Sequence, residues 1–189
     1  MGQLEQCDCQ TLLDLARASI AATVIRAPLP TLETEAVTPP LAERSAAFVT
    51  LREEGELRGC IGMLRYDVPL WVNVRDSAAA AARDDYRFMP VRADEVPLLS
   101  LEVSVLEPPR RIADASEFVA GKHGIMVERG MCRGLLLPQV AGEMGWDERQ
   151  MLSAVCRKAD LPASAWAEPS AHLYVFEAFC FGDDETQVP

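Results

Sequence analysis

An α+β fold, built from antiparallel β-hairpins covered by helices, is predicted by three features of this chain. Short stretches alternate apolar and small or polar residues with period two around glycine-containing turns at 48–61 and 125–137, and again without a turn at 99–105. Segments with apolar residues at helical spacing separate these stretches. The order strand, strand, helix, strand then occurs twice, which predicts a two-lobed single domain over residues 1–189 with an internal ββαβ duplication.

The elements follow in order. Apolar residues at 12, 13, 16, 20 and 24 predict a first helix over Leu12–Arg26, after a flexible segment 1–10. Pro28–Pro40 holds four prolines and two glutamates and reads as a polar loop, the expected mobile segment or lid. Phe48–Arg52 and Glu56–Ile61 form a hairpin around Glu53–Gly55. Pro69 suits the first position of a second helix whose stripe is Leu70, Val74, Ala78 and Ala81, ending near Arg83. Leu99, Leu101, Val103 and Val105 alternate with Ser100, Glu102 and Ser104 in a half-buried strand. Asp114 with Glu117 forms a capping box for a short helix to Ala120. Ile125–Glu128 and Cys132–Leu137 make a second hairpin around Arg129 and Gly130. Asp147 with Gln150 opens a helix through Ala159 that turns Met151, Leu152, Val155 and Ala159 inward. One last strand, Leu173–Phe181, precedes an acidic tail, 183–189, expected to be flexible.

At a displacement of 75 positions the two copies match Arg58 with Arg133, Gly59 with Gly134, Trp71 with Trp146, Leu98 with Leu173 and Glu102 with Glu177. Cys60 falls opposite Leu135, so the second copy keeps the Arg-Gly pair without the thiol.

Composition sets limits on function. With 49% hydrophobic and 25% charged residues the chain has ample material for a core. A net charge of −11 argues against nonspecific nucleic-acid binding, which draws its affinity from Lys and Arg on phosphates. Residues 50–133 are nearly balanced, with 12 basic and 14 acidic residues, so the hairpin neighbourhood suits an anionic small molecule. The first ten residues lack the basic and apolar regions of a secretory signal, and no run is long enough to span a bilayer; a cytoplasmic protein with reduced thiols is expected.

Strict alternation in the first hairpin places Leu57, Gly59 and Ile61 on one face, with Arg58, Cys60 and Gly62 on the other, so that a thiol shares a face with a guanidinium. Glycines within a strand mark a bulge or a close approach of backbone or ligand, which makes Gly59 and Gly62 candidates for a binding surface. Tight packing of the hairpin, with Cys60 as a small core residue, is the alternative. A reactive thiol needs a neighbouring cation or base. Of two histidines, His123 lies in the glycine-flanked turn Gly-Lys-His-Gly, so Cys60 as nucleophile with His123 as acid/base is the candidate catalytic pair. Arg58, Lys122 and Arg87, the last in a loop expected to border the hairpin, are candidate substrate-binding residues. Acids at a helix C-terminus oppose its dipole, which marks Asp84 and Asp85 as more than a helix end. Cys7-Asp8-Cys9 has one intervening residue where zinc motifs have two to four, so neither a metal nor another cofactor is expected.

Leu-Arg-Gly-Cys-Ile-Gly at 57–62 resembles the signature hexapeptide of the AMMECR-type domain family. Phe-Val-Thr-Leu at 48–51, Arg-Phe at 87–88, Gly-Lys-His-Gly-Ile at 121–125, Leu-Leu-Pro-Gln-Val-Ala at 136–141 and Gly-Trp-Asp at 145–147 agree with it in order. Tyr86 and Asp160 depart from the family pattern at helix-to-loop junctions. The resemblance implies association with a Memo-like protein and a radical S-adenosylmethionine protein in a pathway that binds or modifies a small molecule. A non-catalytic module presenting the hairpin to a partner is the other reading.

Overall fold

The structure, a computed structural model, describes residues 4–183. In chain order it contains α1 (Gln6–Val24), α2 (Pro39–Ala42), β1 (Ala46–Glu53), β2 (Glu56–Met63), α3 (Leu70–Arg83), β3 (Leu99–Leu106), β4 (Arg110–Ile112), β5 (Gly124–Arg129), β6 (Cys132–Leu136), α4 (Gln139–Met144), α5 (Glu148–Lys158), β7 (His172–Phe176) and β8 (Ala178–Gly182). The described residues form two compact units, one comprising residues 4–106 with 179–183 and the other Glu107–Ala178.

In the first unit the sheet order is β2-β1-β3-β8, and α1 and α3 cover one face. Leu51, Val49, Leu101, Val103 and Val105 meet Leu12, Ile20, Leu70, Val74 and Ala78 in a core that excludes water. Polar bonds fix α3 on the sheet as well. Buried Asn73 donates through Nδ2 to the carbonyls of Ser45 (2.7 Å) and Arg65 (2.6 Å), and Ser77 Oγ donates to the Ala47 carbonyl. The second unit repeats this plan. Its sheet order, β6-β5-β7-β4, matches the first strand for strand, with α5 packed on β5 and β6.

The repetition is topological, and the register shows where the sequence correspondence holds. Gly59 pairs with Leu51, which pairs with Leu101; Gly134 pairs with Val127, which pairs with Leu173. Gly59 and Gly134 are therefore equivalent, as expected. Leu173, however, takes the place of Leu101 and not of Leu98, and Glu177 lies between two strands while Glu102 lies inside one. Loops and bulges of different length make a single displacement fail along the chain.

Both equivalent glycines sit under a helix. A Cβ at position 59 would stand 2.5 Å from the Ala81 carbonyl oxygen of α3, and one at 134 would stand 2.7 Å from that of Val155 in α5. Bare glycine lets the helix backbone rest directly on the strand.

Four expectations are corrected. The first helix starts at Gln6, because Glu5 and Asp8 form a capping box and Asp8 also accepts from Thr38 Oγ1 at 2.6 Å; residues 6–10 are thus helical rather than flexible. The Pro28–Pro40 segment contains a 3₁₀ turn at Thr34–Ala36, and Leu32 and Val37 pack against the first core. The predicted last strand is two, β7 and β8, in different sheets. Asp183 is held by Leu101 N–H (2.8 Å) and Arg17 (2.6 Å), while the rest of the expected flexible tail lies outside the described residues.

Substituting Gly59 or Gly134 by alanine is expected to lower stability by about 1–3 kcal/mol in urea unfolding, since backbone must move to admit the methyl group. Gly142→Ala in α4, where nothing lies within 4 Å, is expected to be neutral or to stabilise by up to about 1 kcal/mol. Equal losses at all three positions would overturn the close-approach account.

Candidate functional site

The first hairpin turns through Glu54 (φ 52°) and Gly55 (φ 84°), the left-handed pair that a two-residue turn of matching twist requires. The register then slips: Leu51 faces Gly59 while Arg52 faces Leu57, so Arg58 is a bulged residue. This corrects the strict alternation. Leu57 shares its face with Arg52 rather than with Gly59, and Arg58 is re-aimed away from the Cys60 side chain. Its guanidinium grips Glu95 in two bonds (3.0 and 3.1 Å) and donates to the carbonyls of Met89 (2.9 Å) and Pro90 (3.4 Å). Glu95 is held below the usual carboxylate range by that bond to Arg58.

Cys60 lies on edge strand β2 with its backbone polar groups turned outward, where the loop after α3 captures them. Asp85 Oδ2 accepts from Cys60 N–H (2.9 Å), and Arg87 donates to the Cys60 carbonyl (3.3 Å). Asp85 and Arg87 also pair with each other at 2.7 Å, with the Asp85 side chain only 4% exposed. The carboxylate and guanidinium thus stand where a further strand would place its carbonyl and amide, and they protect the edge. The Arg87 guanidinium, helped by the amides of Cys60 and Arg87 and opposed by burial, pulls the Asp85 carboxyl down to about 2.

The half-buried Cys60 side chain stands on the sheet face opposite the α1–α3 core. Thr50 faces it across the strands, and Thr50 Oγ1 donates to Cys60 Sγ at 3.4 Å. Glu102 is the partner of Thr50 on the other side, so thiol, hydroxyl and carboxylate form one cross-strand row. Gly62 faces Phe48, and a Cβ there would fall inside the aromatic ring. Packing demands account for both Gly59 and Gly62.

His123 belongs to the second unit. Val119 N–H donates to its Nδ1 at 3.1 Å, so the ring proton resides on Nε2 and the side chain offers a donor rather than a free base. Burial, with Lys122 beside it, pushes its titration down from the ordinary histidine value. Lys122 pairs with Glu177 at 3.4 Å. The structure thus brings Arg58, Gly59, Cys60, Gly62 and Arg87 together in the first unit, and Lys122 with His123 in the second.

Sequence reasoning passed over Thr50 and Glu95. Cross-strand register would have found Thr50, opposite Cys60; Glu95 carries no local signal. Among the described residues no group of three His, Cys, Asp or Glu side chains is placed to hold a metal ion, and no helix is long and apolar enough to cross a membrane.

A family model described as AMMECR1 matches residues 13–181. The chain belongs to the AMMECR1 family. A family relative from Methanopyrus kandleri is 43% identical over 167 residues, covering 84% of this chain and 81% of that protein. One from Methanosarcina acetivorans is 38% identical over 193 residues, covering 97% and 96%. The crystal structure of an uncharacterized protein from Pyrococcus horikoshii superposes with a TM-score of 0.88 at 35% identity, covering 95% of this chain and 93% of that one. Within the matched region, residues 57–62 form the bulged, clamped edge strand.

Asp85 has a folded titration point below its unfolded value, so its contribution to stability is complete above about pH 4 and is lost as pH falls toward 2. Asp85→Asn is expected to cost about 2 kcal/mol at pH 7, with the gap to the parent narrowing between pH 4 and 2 in urea titrations. A gap independent of pH would remove the charge from the account.

Proposed function

We propose that this AMMECR1-family chain is one component of a pathway shared with a Memo-like protein and a radical S-adenosylmethionine protein, and that it binds or modifies a small molecule at Cys60. The setting of the thiol carries this reading. Cys60 is reachable from solvent, its backbone is clamped on the outer edge by Asp85 and Arg87, and Thr50 aims a hydroxyl at the sulfur. A donor fixed at the sulfur supports charge there as a bond forms or breaks, without reorganisation at that moment. Arg58 and Arg87 serve this site by holding the loop that fixes the strand. With Nδ1 accepting from the Val119 amide, His123 presents an Nε2–H donor and not a free base.

A second reading, a partner-binding module without catalysis, is favoured by apolar side chains on the same clamping loop and the turn after it. Tyr86 is 96% exposed, Met89 81% and Leu98 63%, more apolar surface than one short segment presents without a use.

Iodoacetamide labelling near neutral pH, followed by mass spectrometry, separates the two. Cys60 is expected to react faster than Cys9 and Cys156, whose thiols burial pushes up, and Thr50→Val is expected to slow it several-fold. A Cys60 that labels only on unfolding would sink the thiol reading. Retention of Memo-like partner binding by Cys60→Ser, with loss in Tyr86→Ala/Met89→Ala, would then favour the module.

A further inference from the structure

We propose that the second unit carries its own binding groove for a small carboxylate or phosphate ester with a planar or apolar body. The groove encloses about 680 Å³, within the range of small-molecule sites, and is bordered by Arg111, Asp114, Trp166, Glu168, Pro169 and His172. It uses none of the residues around Cys60.

Its polar groups are arranged to receive an anion. Arg111 donates to His172 Nδ1 at 2.8 Å. A guanidinium can only donate, so Nδ1 is the acceptor and His172 presents an Nε2–H. The contact occupies one N–H of the guanidinium and fixes its orientation, and Arg111 is paired with no carboxylate among the described residues. The remaining N–H groups of the planar guanidinium match the two oxygens of a carboxylate or of a phosphate group.

The acidic residues on the rim do not cancel this cation. Glu168 is neutralised by Arg129 at 2.6 Å. Asp114 accepts from the Ser116 amide at 2.8 Å as the cap of a 3₁₀ turn. Its remaining charge selects against a second anionic group on the ligand. Trp166, half-buried against the core of this unit, and Pro169 supply a firm apolar wall for the rest of the molecule.

The test is a titration of the full chain with phenyl phosphate, benzoate and benzyl alcohol, followed by amide chemical shifts. The two anions are expected to move signals of residues 111–115 and 166–173, with the stronger of the two identifying the phosphate or the carboxylate source, and benzyl alcohol to move none. Arg111→Gln is expected to weaken binding at least about tenfold, and His172→Ala to weaken it in the same direction. Arg111 is exposed, so its variant should keep the parent's signals elsewhere, which checks the fold. Binding unchanged in Arg111→Gln, shifts from benzyl alcohol as large as those from the anions, or shifts confined to other residues would each overturn the proposal.

Discussion

Each unit rests on a helix backbone lying against a strand that has no side chain at the point of contact. The carbonyl of Ala81 occupies the space above Gly59, and that of Val155 the space above Gly134. Contact at this distance brings the helix stripe into the sheet's apolar rows, and it sets the depth at which Val74, Ala78 and Leu51 on one side, or Met151, Val155 and Val127 on the other, exclude water. That two units of little sequence likeness share this device, in the same strand order, identifies the glycines as architectural.

The candidate site grows out of the same constraint. With α3 seated on Gly59, its C-terminus delivers the segment from Asp84 to Glu95 to the edge of β2. The bulge at Arg58 turns one guanidinium onto that segment, while Asp85 and Arg87 close on the backbone of Cys60 from the segment itself. One ion pair, Arg58 with Glu95, and two bonds from Asp85 and Arg87 to the Cys60 backbone therefore tie loop to strand. An acidic residue at a helix C-terminus is unfavourable toward the dipole, and the compensation lies in the bonds Asp85 accepts from the Cys60 amide and from Arg87. The outcome is a thiol on a rigid frame with a hydroxyl beside it.

The cationic residues of this acidic chain divide by use. Arg58, Arg87 and Arg129 are matched to carboxylates, and their pairing stiffens loops. Arg111 is matched to a neutral imidazole, which orients the guanidinium without discharging it. Charge balance over a stretch of sequence therefore does not locate an anion site, because neutralisation is decided contact by contact.

Family membership, the hairpins, the capping boxes at Asp114 and Asp147 and the α+β class were legible in the sequence, since they depend on short-range rules: period two around Glu54–Gly55, helical spacing through Leu70–Ala81, an acid three residues ahead of its partner at Asp147. The equivalence of Gly59 and Gly134 was legible for the same reason, while the bulge leaves Arg133 in the place of Leu57 and not of Arg58. Alternation alone put Arg58 beside Cys60, because a bulge is a one-residue slip that only strand pairing reveals. The reason for Gly59 lay in Ala81, that for Gly62 in Phe48, and the partner of Arg58 was Glu95, each remote in sequence or hidden in register. Local periodicity determined which residues form the elements; the tertiary structure decided which way Arg58 points, what Asp85 binds and which nitrogen of His123 carries its proton, because those depend on contacts between segments that no local spacing records.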